Sequence, residues 1–494
     1  MDNFLSRMLL FPPHPAPLVP LTDLQYDTGI TSQIDSLKKT SDKILLQSTA
    51  GDESPLDVIN PSLNTVPYIY ILRAHIAAAH KGEKGINVND LWEKATAFLH
   101  SFDKRQVRYL GKEIQDVIEF VAQVASEQRQ PGAAISPIRE AILRIDPSGS
   151  VLTSNHLYLV RLALQTRHFA AITELIDKPI LYIPAKQPIS YTRYLCEADL
   201  PAQSYVTIKS NLSTKLNPLE ILEYFYYSGS IYIGLQRWDA ALEMLENAII
   251  YPSNDNSVSL VMVEAYKKWL LVGLLQYGKV LQLPKTTSVA AAKTYHIIAK
   301  PYEAIAGIFE SGSAARLKSE AEFGRQIWSD DANYGLVCCV LAAYQKFQIR
   351  NLANVYSKIG AADIMSLTMS AETGGKLTSI KQIEDLVQSM IAEGTLPATM
   401  IRDQSGHAVV AFSPTGPVLS ETQVQNDLVA STRRIQSLAK QIKVTDRVLT
   451  HDKRYIDSAQ KAQLKLKNAA NAGGTAEPLD WNSIIEDEDI MMES

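Results

Sequence analysis

Nine histidines are the first residues to test for metal or acid–base chemistry. No two of them stand in an HxH or HExxH arrangement, so no local pair of imidazoles is set to share one metal. His75 and His80 are five apart, a poor spacing for one helix face, and His100 and His168 stand alone. The chain contains no GxxxxGK[ST], GxGxxG or GxSxG segment. Gly374-Gly375 is a lone pair that suits a turn, and Glu220 with Glu223 suits capping or a solvated helix face. Three cysteines, Cys196, Cys338 and Cys339, are too few and too irregular for a disulfide framework or a CxxC site. They fit a reducing compartment, with thiols used as core filling. Neither catalysis nor a cofactor or metal site is expected.

Charge narrows the classes further. A formal net charge of −5 offers no general field for nucleic acid or an anionic membrane. The apolar cluster Met8–Phe11 is too short for a signal-peptide core, and Trp269–Leu275 is far shorter than the ~20 residues of a spanning helix. A soluble intracellular protein is expected. At 494 residues the core can be large without disulfides, in roughly three domains.

The elements that must position any surface are helical. Apolar residues recur at helical spacing in Pro67–His80, Leu91–Phe102, Val107–Val124 and His156–Leu164, with breakers at Lys81–Gly85, Gln130–Gly132 and Asp146–Gly149. Ile180–Pro201, with its three later prolines, reads as a connection. Asn217-Pro218-Leu219-Glu220 is a helix start: Asn217 caps, Pro218 fits the first turn, and Glu220 reaches back to the cap amide. Trp238 to Ile250 follows as a second helix. Phe225, Gly229, Tyr232, Ala241, Leu245 and Ala248 fall on tetratricopeptide spacing, with Ser228 where a leucine is usual. Leu157 to Asp177 repeats the pattern faintly, with Phe169 in the place of Trp238. Together they favour a stacked helical solenoid over an ordinary pair of aromatic core helices.

Further helices are expected at Leu260–Gly278, Pro301–Phe309, Ala314–Ile327 and Ala332–Gln348. Ala361–Leu367 and Ile380–Glu393 follow, the latter stopped by Gly394. Thr399–Arg402 and Ala408–Phe412 then form a short hairpin around Asp403–Gly406. That order is a winged helix. Its recognition helix carries Lys381 against Glu384, Asp385 and Glu393, and residues 333–415 hold six bases and six acids. This balance suits protein contacts better than a DNA groove. Met400, Ile401, Val409 and Phe412 are the expected partner-facing residues of the hairpin edge.

After Pro414–Pro417 a long helix starts near Glu421. Leu428, Ile435, Ile442, Leu449 and Ile456 recur every seven residues, with Val424 and Leu438 beside them. The companion positions Ser431, Thr445 and Asp452 are polar, so the stripe is narrow. It suits a mixed bundle with partner helices; packing back on its own domain is the alternative. From Asn468 the chain turns small and polar and ends with seven acids and no base from Glu477 to Ser494, which reads as disorder. Trp481 and Ile484-Ile485 could make a short docking peptide there, against a plain solvated tail.

This order of helical repeats, winged helix and C-terminal helix resembles PCI-domain proteins, scaffold subunits of the signalosome, the proteasome lid and a translation-initiation complex. Asn217–Tyr227, Glu264–Lys268, Gly278-Lys279-Val280, Leu283-Pro284-Lys285, Lys300-Pro301-Tyr302, Asn333–Val337 and Ile391–Gly394 resemble the COP-nine signalosome third-subunit family. The resemblance spans roughly 150–460, and the first 150 residues match in helical character alone. It implies a mainly α fold: a TPR-like helical-repeat solenoid, a winged-helix (PCI) domain with a small β-hairpin, and a long C-terminal helix. The divisions expected are 1–200 and 201–330 (helical repeats), 331–415 (winged helix), 416–468 (bundle helix) and 469–494 (acidic tail). It further implies a non-catalytic scaffold in the complex that removes the ubiquitin-like protein NEDD from cullin-RING ligases, in cytoplasm and nucleus. The zinc chemistry of that complex would lie in another subunit. Partners would be other signalosome subunits, met through a ring of winged helices and a helical bundle. A proteasome-lid subunit and a nucleic-acid-binding winged helix remain the alternatives.

Overall fold

The computed structural model describes residues 2–14, 20–83, 86–186, 194–198, 200–252, 258–403, 406–413, 421–450, 455–458 and 460–461. The acidic tail and Pro414–Pro417 lie outside them. The chain divides into two compact units, Met1–Val418 and Leu419–Ser494.

The first unit is a succession of helices, each packed on its neighbours in sequence. Val88–Ser101 packs on Gly111–Glu127 and Ile135–Ile145. Ile135–Ile145 packs on Ser154–Thr166, that helix on Pro218–Gly234, and Pro218–Gly234 on Trp238–Ile249. Trp238–Ile249 meets Leu260–Tyr277, which meets Lys300–Ser311 and Tyr334–Leu352. Nearest-neighbour stacking of this kind is a solenoid. Its core runs continuously from Leu5 to Ala371. Thr65–His80 is apolar almost all round and correspondingly buried, whereas Gly111–Glu127 and Ile135–Ile145 each bury one stripe.

Asn217 and Glu220 form the expected reciprocal cap, the Asn217 amide donating to Glu220 Oε2 at 2.7 Å. Gly229 lets the two repeat helices approach: a Cβ there would stand 2.9 Å from the Leu245 side chain. Tyr232 is buried above it, and its hydroxyl donates to Asp177 Oδ1 at 2.7 Å. The same carboxylate pairs with Arg237 at 2.9 Å, so the repeat is tied to the stretch before it.

Several expected boundaries are corrected. Leu157–Asp177 is not a helix pair: Ser154–Thr166 is followed by a 3-10 turn, Phe169–Ile172, and one helical turn, Thr173–Ile176. Pro179 stands three residues on and cannot continue a helix. Val107–Val124 breaks at Leu110, between the 3-10 turn Gln106–Tyr109 and Gly111–Glu127. Ala314–Ile327 breaks at Gly324, where the Trp328 ring lies so close that a Cβ would meet it at 2.5 Å. The Trp328 indole N–H donates to the Ala321 carbonyl at 3.1 Å, using an acceptor at the end of the first segment. Cys339 is exposed and Cys338 half-buried, so of the three thiols Cys196 alone fills core. The capped helix Asp23–Lys38 was not expected; the Thr22–Gln25 capping box is the signal that would have found it.

A second, smaller core runs from Ile349 to Phe412. Strand β1 (Lys358–Gly360), helices Ala361–Leu367 and Ile380–Ala392, then β2 (Ala398–Arg402) and β3 (Ala408–Phe412) build it in winged-helix order. The sheet is antiparallel in the order β1-β3-β2. The hairpin is as expected; β1, three residues long, is an addition. The fold is thus mainly helical, with helical repeats, a winged-helix domain and a long C-terminal helix. In the second unit, Glu421–Leu449 is one continuous helix of 29 residues.

Candidate assembly surfaces

The C-terminal helix presents its apolar stripe openly. Leu428 is 62%, Ile435 66% and Ile442 64% exposed, and Val424 and Leu438 are exposed as well; Ile456, beyond the helix described, is also exposed. Leu449 is half-buried. Side chains of this kind on one seam lose about 25 cal/mol per Å² of hydrophobic stabilisation while they face water.

The sheet separates the four residues expected at its edge. β3 is the central strand, hydrogen-bonded on both sides, so Val409 and Phe412 lie on no free edge. Phe412 is buried in the small core, and Val409 pairs with both Gly360 and Ile401. The reason is β1, which covers the side of β3 that a lone hairpin would leave open. Met400 and Ile401 stand on β2, an outer strand; Met400 packs against the small core and Ile401 is 44% exposed. On the opposite side a groove of about 350 Å³ runs along β1, lined by Tyr356, Ile359, Leu367 and Val409 among others.

Sequence reading did not foresee a buried polar joint that the fold assembles from distant segments. Lys267 donates to Glu264 Oε1 at 2.6 Å and to Asp331 Oδ2 at 2.8 Å. The Tyr302 hydroxyl donates to the same Asp331 oxygen at 2.7 Å and accepts from Asn333 Nδ2 at 2.9 Å. Lys268 donates to Asn333 Oδ1, and its ammonium lies 5.7 Å from the centre of the Tyr226 ring. Burial pulls the Lys268 ammonium below the usual lysine range. Burial acts on Lys267 too, but hydrogen bonds to Asp331 and Glu264 outweigh it and raise its pKa. These groups are spent on one another. It locks Leu260–Tyr277 to Lys300–Ser311 and to the start of Tyr334–Leu352. Each of four segments that carried the family resemblance contributes a member. Only tertiary structure brings them together; the lysine pair on an otherwise apolar helix was the available hint.

Two of the histidines singled out from the sequence are also engaged. His75 Nδ1 lies 2.9 Å from the Ile71 carbonyl, and His80 meets the Phe120 ring edge-on. Among the described residues no group of three or more His, Cys, Asp or Glu side chains is placed to hold a metal ion. No helix is long and apolar enough to cross a membrane, again among the described residues.

Comparison with known proteins agrees with this architecture. A family model described as COP9 signalosome complex subunit 3, N-terminal helical repeats, matches residues 29–291. The chain is similar to COP9 signalosome complex subunit 3 of Neurospora crassa, 34% identical over 88% of each chain. It is 30% identical to the subunit 3 of Emericella nidulans, over 96% of this chain and 95% of the relative. To that of Dictyostelium discoideum it is 25% identical, over 85% and 88%. The similarity thus begins well before residue 150, correcting the narrower span expected from short motifs. The helical repeats from residue 29 and the similarity over most of the chain to the Neurospora crassa and Emericella nidulans proteins establish that the chain belongs to the COP9 signalosome complex subunit 3 family.

Proposed function

We propose that the chain is a non-catalytic scaffold subunit of a COP9 signalosome, the complex that removes NEDD from cullin-RING ligases. Its family relatives are named as subunits of that complex. The observation that carries the scaffold role is the uncovered stripe Leu428–Ile435–Ile442 on a helix of 29 residues. In this reading the helix enters a bundle of subunit helices. The PCI winged helix joins a ring of such domains through the outer strand β2, and the repeats project as an arm. Contact with cullin-RING ligases is indirect, and the complex works in cytoplasm and nucleus.

Affinity purification of the tagged full chain with mass spectrometry tests the assignment. Signalosome subunits are expected; recovery of proteasome-lid subunits in their place would sink it. The double variant Ile435→Asp, Ile442→Asp tests the bundle. Each aspartate would have to enter an apolar seam unpaired, at a cost of several kcal/mol. The variant is expected to elute free of the complex, and co-elution with the full set of subunits refutes the bundle role.

A further inference from the structure

The N-terminal helices form a cleft that the assembly reading leaves unused. Lys38, Arg73, Arg108, Lys112 and Lys209 line it, together with one carboxylate, Glu113. Five cations less Glu113 and the Asp116 that Arg73 holds leave a charge of +3 around a space of about 600 Å³, on a chain whose total is −5. Glu113 is already engaged: it accepts from the Tyr70 hydroxyl at 3.2 Å and lies 3.6 Å from Arg73. Arg73 also holds Asp116 at 2.5 Å. Lys38, Lys112 and Lys209 are exposed and have no carboxylate within ion-pair distance among the described residues.

Arg108 marks the inner end. It is only 7% exposed, and its guanidinium stacks on the Tyr205 ring at 4.1 Å. Nη1 donates to the Leu195 and Glu197 carbonyls at 2.8 and 2.7 Å. Nε has no acceptor among the described residues, and no carboxylate neutralises the charge there. A buried guanidinium without a counter-ion is unfavourable, and an entering anion relieves it. Beside it begins the 17-residue helix Gly111–Glu127, whose N-cap, Leu110, supplies no side-chain cap. Its first amides, at 111–113, have no acceptor among the described residues. Such a helix end adds favourable potential for an anion.

We propose that this cleft binds a compact, multiply phosphorylated small molecule. Lys38, Lys112 and Lys209 meet its outer phosphate oxygens, while Arg108 and the helix end hold the inner one. The volume is that of a small-molecule site, and lysines suit phosphate as point charges. An extended acidic peptide would want apolar subsites along its length, and Leu195 is the one aliphatic side chain lining the cleft.

Inorganic tripolyphosphate titrated calorimetrically into the full chain is the test. Saturable binding that weakens with added salt is expected. The variant Lys112→Gln, Lys209→Gln should bind at least roughly tenfold more weakly, as should Lys38→Gln from a separate helix. All three lysines are exposed, so the thermal melt should be unchanged, and Lys39→Gln outside the cleft should bind as wild type. No saturable binding, or undiminished binding by the variants, overturns the proposal. So does a deca-glutamate peptide that depends on the same lysines and binds more tightly than tripolyphosphate; the cleft would then belong to an acidic protein segment.

Discussion

His156 ties the stability of the first unit to pH in a way that can be isolated by one substitution. It is fully buried at the start of Ser154–Thr166, edge-on to the Tyr224 ring. The Thr153 amide donates to His156 Nδ1 at 3.2 Å, completing a capping box with His156 at its third position. Nδ1 therefore accepts, and the ring proton sits on Nε2. That atom is buried with no partner among the described residues. A second proton would have to enter at Nδ1, displacing the cap bond and leaving a buried imidazolium. Burial accordingly lowers the His156 pKa from 6.5 to about 3.

The sign follows from linkage. Below pH 6.5 the unfolded chain takes up a proton that the folded chain refuses until about 3. The stabilisation is complete above 6.5 and is lost as pH falls from there towards 3. At about 1.4 kcal/mol per pH unit the whole interval is worth roughly 5 kcal/mol, and the step from 6.5 to 5 about 2 kcal/mol. His156→Gln keeps a capping-box residue at the third helical position without a titrating group. Hydrogen-exchange protection of Ser154–Thr166, read at pH 7.5 and at pH 5 after correction for intrinsic rates, is the assay. Wild type should lose ~2 kcal/mol more protection than the variant over that interval. Equal losses in the two proteins would refute the assignment, because every other titrating group is common to both.

Two further outcomes follow from packing. Asn333→Leu removes the acceptor of the buried Lys268 and the donor to Tyr302; a loss of about 2–4 kcal/mol in denaturant stability is expected, and a loss below 1 kcal/mol would dismiss the joint. Gly111→Ala would set a Cβ 1.9 Å from the Ser210 carbonyl oxygen, so backbone must move; ~1–3 kcal/mol should be lost, with proteolysis newly reaching residues 207–212.

What could be read from the sequence was local. The Asn217–Glu220 cap, the Gly229 approach and the β2–β3 hairpin each depend on residues within one or two elements, and periodicity or turn chemistry exposes them. The breaks at Leu110 and Gly324 have different causes. Gly111 meets the backbone of residues 210–212, about a hundred positions later, and no window on residues 107–124 contains that contact. At Gly324 the cause is the Trp328 ring, four residues on and just past the expected end at Ile327, packed where a Cβ would stand. β1 escaped because three residues carry no alternation to detect, yet it decides which strand is the edge. The polar joint was invisible for the same reason as Gly111: Lys268 and Asn333 are 65 residues apart.

Tyr334–Leu352 joins the two cores of the first unit. Leu336, Val337, Val340 and Tyr344 belong to the large core, while Ile349, on the same uninterrupted helix, belongs to the small one. Between them the buried Gln345 donates to Thr368 Oγ1 at 3.0 Å. The chain then returns to the repeats: Ala371 is buried in the large core, and Lys318 donates to the Thr373 carbonyl at 3.3 Å. Two packed cores joined by a flexible linker would rotate independently. Here rotation would have to bend a helix of 19 residues and expose a buried side-chain hydrogen bond at once. The winged-helix sheet is thus held at a fixed angle to the last repeats. The Lys267–Asp331–Asn333 joint sits at the start of that helix, so a buried polar network fixes the end of the element that connects the repeats to the sheet.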